Sequence, residues 1–189
     1  MTKYTPMMQQ YLEIKSQHPD TLLFFRLGDF YEMFFNDAEV ASRELEIVLT
    51  ARDGGDAGKV PMCGVPHHSA HTYIAKLISR GYRVAICEQV EDPREAKGLV
   101  KREVVRIITP GTVLEDNMLS ETSANYLAAV YTGDEAAGLA FVDVSTGEFK
   151  ICQWQGKNAL NQIYTELLRL NPSECLMAED QPTLWMEEQ

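Results

Sequence analysis

TLLFFRLGDFYEMF, residues 21–34, decides how this chain is read. Thr21 to Leu27 is a short, β-prone apolar run, Gly28-Asp29 breaks it, and Phe30 to Phe34 resumes it. A Gly-Asp pair between two such runs predicts a strand, a tight turn and a second extended piece. Alternate side chains of an extended segment share a face, so Phe30 and Glu32 project together, an aromatic ring beside a carboxylate. Taken alone, a Phe-x-Glu tripeptide reads most simply as a core phenylalanine next to an edge charge.

Working outward, Thr5-Pro6 has the form of an N-cap with proline in the first helical position. The spacing of Met7, Met8, Tyr11, Leu12 and Ile14 predicts a helix running to about Gln17. Asp37 is the expected cap of a helix carrying Val40, Ala41, Leu45 and Ile47, and Arg52 to Lys59 is expected to be a mobile Gly- and Asp-rich loop. Ser69 is the expected cap of a helix with Tyr73, Ile74, Leu77 and Ile78 on one face and Gly81 just past its end. Strands at 82–88 and 103–109 complete an α/β first part. Pro110-Gly111-Thr112 opens a polar stretch to about Ser123, which sets the expected organisation as a domain over 1–109, a linker over 110–123 and a second domain over 124–189. In that second domain, strands are expected at 126–132, 139–145 and 148–154, then an amphipathic helix through Leu160, Ile163, Leu167, Leu168 and Leu170, then a strand at 175–178. These elements begin an α/β layer fold and are too few to close one, so the second domain reads as truncated.

The formal charge of −11 argues at first against a nucleic-acid partner. The distribution of that charge points the other way. Residues 1–109 hold 14 Lys+Arg against 15 Asp+Glu, whereas residues 110–189 hold 3 against 13. The near-neutral first part also contains a basic run, Lys97, Lys101, Arg102 and Arg106, which could meet a polyanion. No run approaches the roughly 18 apolar residues of a membrane span and no leader pattern begins the chain, so a cytoplasmic protein is expected. Cys63, Cys87, Cys152 and Cys175 are too widely spaced for a disulfide framework or a CxxC zinc site.

Several blocks then decide between the bland and the functional reading of Phe30 and Glu32. Leu27-Gly28-Asp29-Phe30-Tyr31-Glu32, Pro61-Met62-Cys63-Gly64-Val65-Pro66-His67-His68, Ala85-Ile86-Cys87-Glu88-Gln89 and Val105-Arg106-Ile107-Ile108-Thr109-Pro110-Gly111-Thr112 occur in the order and spacing of one family. Over roughly residues 5–145 the chain resembles the N-terminal region of the MutS family of DNA mismatch-repair proteins. The resemblance implies a mixed-sheet mismatch-recognition domain with flanking helices, followed by an incomplete ribonuclease H-like connector domain. It implies that Phe30 enters the minor groove of bent duplex DNA and stacks on a mispaired base, and that Glu32 hydrogen-bonds that base. An ionised carboxylate only accepts hydrogen bonds, and beside phosphates the neutral acid, donating to an acceptor such as purine N7, is the expected form. Arg52, Lys59, Met62, His68, Lys101 and Arg106 sit in or beside the matching blocks and loops and are the candidates for backbone or groove contacts. By the same resemblance the fragment is not itself an enzyme and holds no cofactor. A full-length homodimer would bind ATP and magnesium elsewhere, and a MutL-type repair partner could meet the connector.

Two other classes compete. A ribonuclease H-like nuclease would place a metal-binding carboxylate at Asp143, but no carboxylate partners for it are evident and a capped turn explains it more simply. His67, His68, His71 and Cys63 straddle a loop-to-helix junction and suit loop or capping roles better than a metal site. No GxxxxGK[ST] phosphate loop occurs. A protein-interaction module would use the acidic second part and the apolar Leu184-Trp185-Met186.

Overall fold

The computed structural model describes residues 4–91, 98–115, 118–119, 123–133 and 136–179, which form two compact units, 1–109 and 110–189. The expected Leu184-Trp185-Met186 patch and Lys97 lie outside the described residues.

In the first unit, α1 (Pro6–Gln17) starts as its sequence predicts, the Thr5 hydroxyl accepting from the Met8 N–H. β1 (Leu22–Leu27) and β2 (Phe30–Phe34) form an antiparallel hairpin in which Leu27 faces Phe30 across the two-residue turn. Gly28 takes φ +59 there, as the first position of a II′ turn requires. Then follow α2 (Phe35–Leu45), β3 (Thr50–Asp53), β4 (Lys59–Pro66), a 3-10 turn at His67–Ser69, α3 (Ala70–Ile78), β5 (Val84–Gln89) and β6 (Arg102–Ile108). The sheet runs β3-β4-β2-β1-β5-β6, mixed because β1 and β5 are parallel while the other neighbours are antiparallel.

Strand alternation sorts the core onto two faces. Met8 and Tyr11 of α1 pack on Leu23, Phe25, Phe34, Val60, Ala85 and Cys87. The opposite face carries Phe24, Tyr31, Met33, Cys63, Val65, Val84 and Ile86, with the Cys63 thiol 3.4 Å from the Ala38 carbonyl of α2. Burial lifts the Cys63 and Cys87 thiols up to about 12, which leaves both as inert core groups.

The expected element pattern is corrected in three places. Residues 52–59 are not one loop: Arg52 and Asp53 belong to β3, Lys59 begins β4, and only the tip is turn, closed by the Gly54 N–H to Gly58 O bond at 2.7 Å. The polar composition belongs to a hairpin tip whose flanks pair once β4 is in place. The Ser69 side chain does not cap α3, since its hydroxyl bonds back to the Pro66 carbonyl at 3.3 Å. Nor does Asp37 cap α2. The chain passes from β2 into the helix at Phe35, φ +54, so the helix starts three residues early and Asp37 lies inside it. Its buried carboxylate accepts from the Tyr11 hydroxyl and the Leu23 N–H, each at 3.0 Å, and meets Lys15 Nζ at 2.9 Å. Burial, with Asp37 beside it, drives the Tyr11 phenol far above its usual range and keeps it a donor.

The second unit is a sheet in the order β10-β7-β8-β9. β7 (Tyr126–Thr132), β8 (Ala136–Asp143) and β9 (Glu148–Gln155) form an antiparallel meander, and α4 (Ala159–Leu170) crosses back to β10 (Glu174–Met177), parallel to β7. Ala159, Ile163 and Leu167 seal one face on Ala128, Val130, Leu139 and Phe141. Tyr131, Phe149, Ile151 and Leu176 remain exposed on the other. Both units are thus mixed α/β.

Asp37 ties α1, α2 and β1 together, and a prediction follows from its burial. Asp37→Ala strands the buried Leu23 N–H and removes the carboxylate from the Tyr11 hydroxyl and the Lys15 ammonium, which keep the carbonyls of Phe34 and of Pro19 and Thr21, and should cost about 2 kcal/mol. Urea unfolding of the two proteins checks this: the midpoint should fall with an unchanged slope, and a loss below about 1 kcal/mol would contradict the network.

Candidate nucleic-acid interface

Phe30 and Glu32 are both carried by β2. Its side chains alternate, so Phe30, Glu32 and Phe34 share the α1 face while Tyr31 and Met33 point to the other. α1 covers only part of that face. Phe34 lies buried beneath Met8 and Tyr11, Glu32 keeps 16% of its side chain exposed, and Phe30 stands 46% exposed. The strand therefore runs from core to solvent along one row, ending in an exposed aromatic ring.

The row is held from both sides. Phe30 faces Leu27 on β1 and Pro66 on β4, and Glu32 faces Phe25 and Gly64. A Cβ at Gly64 would sit 3.2 Å from the Tyr31 carbonyl oxygen and 3.4 Å from Glu32 Cγ, so glycine there leaves the carboxylate its room. Behind the row, the Tyr31 hydroxyl donates to Glu88 Oε1, Arg26 Nη1 lies 3.6 Å from Glu88 Oε2, and the Arg26 guanidinium sits 5.6 Å from the Tyr31 ring centroid. Burial and Glu88 raise the Tyr31 phenol well above its usual range, so it remains a donor. His67 closes the same corner, its ring 5.3 Å from that of Tyr31 and its N–H donating to the Asp29 carbonyl at 2.8 Å. These contacts fix the hairpin from the reverse side, and Phe30 is left half exposed outside the buried core.

Of the candidate contact residues, the structure brings some to this row and not others. Arg52, on edge strand β3, pairs its Nη1 with Glu32 Oε2. Met62 lies on the same face of β4, opposite Phe34, and His68 is exposed in the turn following Pro66. Lys59 points to the other face and is five residues from Gly64 along β4, about 17 Å at the rise of an extended strand. Arg106 faces Ile86, on the α2 side of the sheet, and β6 lies three strands from β2, about 14 Å. Lys101 precedes β6 and is paired with Glu103. The described members of the expected basic run do not form one surface: Arg102 is buried, its guanidinium 4.9 Å over the Phe25 ring and its Nε donating to the Arg26 carbonyl at 2.7 Å. The alternation of β6 and its bulge at Ile86/Cys87 divide these cations between faces.

Sequence reasoning missed the Glu32–Arg52 pair, the space at Gly64 and the Tyr31–Glu88 bond. A signal existed for the last two, since Gly64 and Glu88 fall in the matching blocks, but their roles need the strand register. Asp143, the candidate nuclease carboxylate, is spent on its turn. Oδ1 accepts from Ser145 Oγ at 2.6 Å and Ser145 N at 2.9 Å, and Oδ2 accepts from Asn125 N at 3.1 Å. These bonds hold its carboxyl below the usual range. No group of three His, Cys, Asp or Glu suited to a metal occurs among the described residues.

The exposure of Phe30 makes a test of its own. Phe30→Ala should change stability by less than about 1 kcal/mol, whereas Phe25→Ala, in the core, should cost about 3–5 kcal/mol. Thermal or urea unfolding of both variants separates a surface-displayed ring from a structural one; equal losses would return Phe30 to the core.

Comparison with known proteins matches this chain to one family. The family model for MutS domain I matches residues 5–117, and that for MutS domain II matches residues 125–185. A protein described as DNA mismatch repair protein MutS from Syntrophomonas wolfei is 62% identical over 178 residues, 94% of this chain and 21% of that protein. Proteins of the same description from Desulforamulus reducens and Pelotomaculum thermopropionicum are 59% and 60% identical, over 93% and 90% of this chain and 20% of each relative. The chain spans about a fifth of the length of these curated relatives. With domain models covering most of its length and relatives this similar, the chain belongs to the MutS family.

Proposed function

We propose that the first unit inspects base pairing in duplex DNA during mismatch repair, with Phe30 as a wedge and Glu32 as the hydrogen-bonding group beside it. One observation carries this reading: an aromatic ring, exposed and braced from behind, at the uncovered end of a row it shares with a carboxylate. A mispaired step unstacks and bends at lower cost than a paired one, so a wedge in the minor groove reports deformability rather than sequence. Glu32 then donates, as the neutral acid, to an acceptor on the base that Phe30 contacts: purine N3 or pyrimidine O2 from the minor groove, or purine N7 where the mispaired purine is turned syn. Arg52, Met62 and His68 flank that contact. Lys59, Lys101 and Arg106 serve only backbone contacts remote from the wedge, if the duplex wraps that far.

The fragment acts by binding, not by catalysis. In a full-length protein, ATP and magnesium would be held by domains outside these 189 residues, in a cytoplasmic homodimer. A second reading, that domain II docks a repair partner of the MutL type, draws on the exposed Tyr131, Phe149, Ile151 and Leu176 and is compatible with the first.

Binding to a matched duplex and to one with a single G·T mispair, at low salt, tests the wedge. Base–aromatic stacking is worth about 1–3 kcal/mol, so Phe30→Ala should lose about 10- to 100-fold in mismatch affinity and little on the matched duplex. An unchanged preference in Phe30→Ala would overturn the wedge.

A further inference from the structure

The Glu32–Arg52 ion pair gives the site a feature that a wedge alone does not need. We infer that Arg52 is a positioning residue that trades partners on insertion: it holds Glu32 in the free protein and moves to a backbone phosphate when Phe30 enters a mispaired step. This rests on the reading of Phe30 and Glu32 just proposed.

The geometry supports the exchange in three ways. First, the Arg52 end of the pair is open to solvent, 40% exposed against 16% for the Glu32 side chain, so the guanidinium is screened and has room to swing away. Among the described residues no other side chain pairs with the Glu32 carboxylate, so in the free protein Arg52 sets where the carboxylate points. Second, Arg52 is anchored on β3, two strands and about 10 Å to one side of β2. The minor groove is only about 6 Å wide, so if Glu32 reaches a base from within it, Arg52 lies over the groove wall, where the phosphates run. Third, a guanidinium binds phosphate by two parallel charge-assisted hydrogen bonds, which outcompete a carboxylate pair screened at its guanidinium end. Turning toward the base, Glu32 leaves Arg52 at the point where a phosphate is available to it. On a matched duplex the wedge stays out, Glu32 keeps Arg52, and the phosphate contact is not made.

The slope of log Kd against log salt counts such contacts, at about 0.9 per phosphate on duplex DNA. It should be measured for the protein at its full encoded length on matched and G·T duplexes. The wild type should show a slope larger by about one on the mispaired duplex. Arg52→Met should erase that difference by lowering the mispaired slope, and Arg52→Lys, which keeps the charge, should restore most of it. Glu32→Gln should erase it from the other side, raising the matched slope, because Arg52 then has no carboxylate to hold it. Equal slopes in the wild type would overturn the exchange, as would an Arg52→Met that lowers both slopes alike or neither. Phe30→Ala distinguishes the two failures. If it abolishes mismatch preference while the slopes contradict the scheme, only the exchange falls; if preference survives it, the wedge reading falls and the exchange with it.

Discussion

The antiparallel pairing of β2 with β1 on one side and β4 on the other is the constraint on which the rest of the site depends. Pairing on both edges leaves β2 no freedom to rotate or slip, and a one-residue slip would send Phe30 and Glu32 to the face now held by Tyr31 and Met33. The II′ turn at Gly28-Asp29 sets the register at one end, and the Tyr31–Glu88 bond locks it from the reverse face. Rigid display matters energetically. A ring that was ordered only on binding would give back part of its stacking energy as lost side-chain freedom.

The arrangement also resolves how a near-neutral unit in an acidic chain could bind a polyanion. Among the described residues charge is not spread over a basic face: Arg102 supports the core, Lys101 is paired with Glu103, and Arg106 and Lys59 point away from the wedge. Long-range attraction is therefore modest, and on the wedge reading proposed above discrimination falls to short-range stacking and to one ion pair beside the ring. This division suits a detector that must leave matched DNA readily and stay on a deformable step.

Much of the fold was legible because its signals are local. The Thr5-Pro6 helix start, the Gly28-Asp29 turn and the strand at Tyr126–Thr132 each follow from a few adjacent residues. The β3–β4 hairpin was not, because its polar tip dominates a short window and its strands are defined by a partner, β2, some 30 residues earlier in the chain. Asp37 misled for a related reason: an acidic residue near a helix start looks like a cap, and only tertiary structure shows Tyr11 and Leu23 converging on it. At the site, the shared face of Phe30 and Glu32 follows from period two alone. Their significance came from resemblance, and the roles of Gly64 and Arg52 came only from register.

The most direct measurement is photochemical cross-linking from the mispaired base itself. A duplex carrying 5-iodouracil opposite guanine would be irradiated with the protein and the attached peptide sequenced. The wedge places Phe30 in stacking contact with that base, so the cross-link should fall on Phe30, and pairing the same 5-iodouracil with adenine should abolish it. A cross-link elsewhere in the chain, or equal yield from the paired base, would contradict the account.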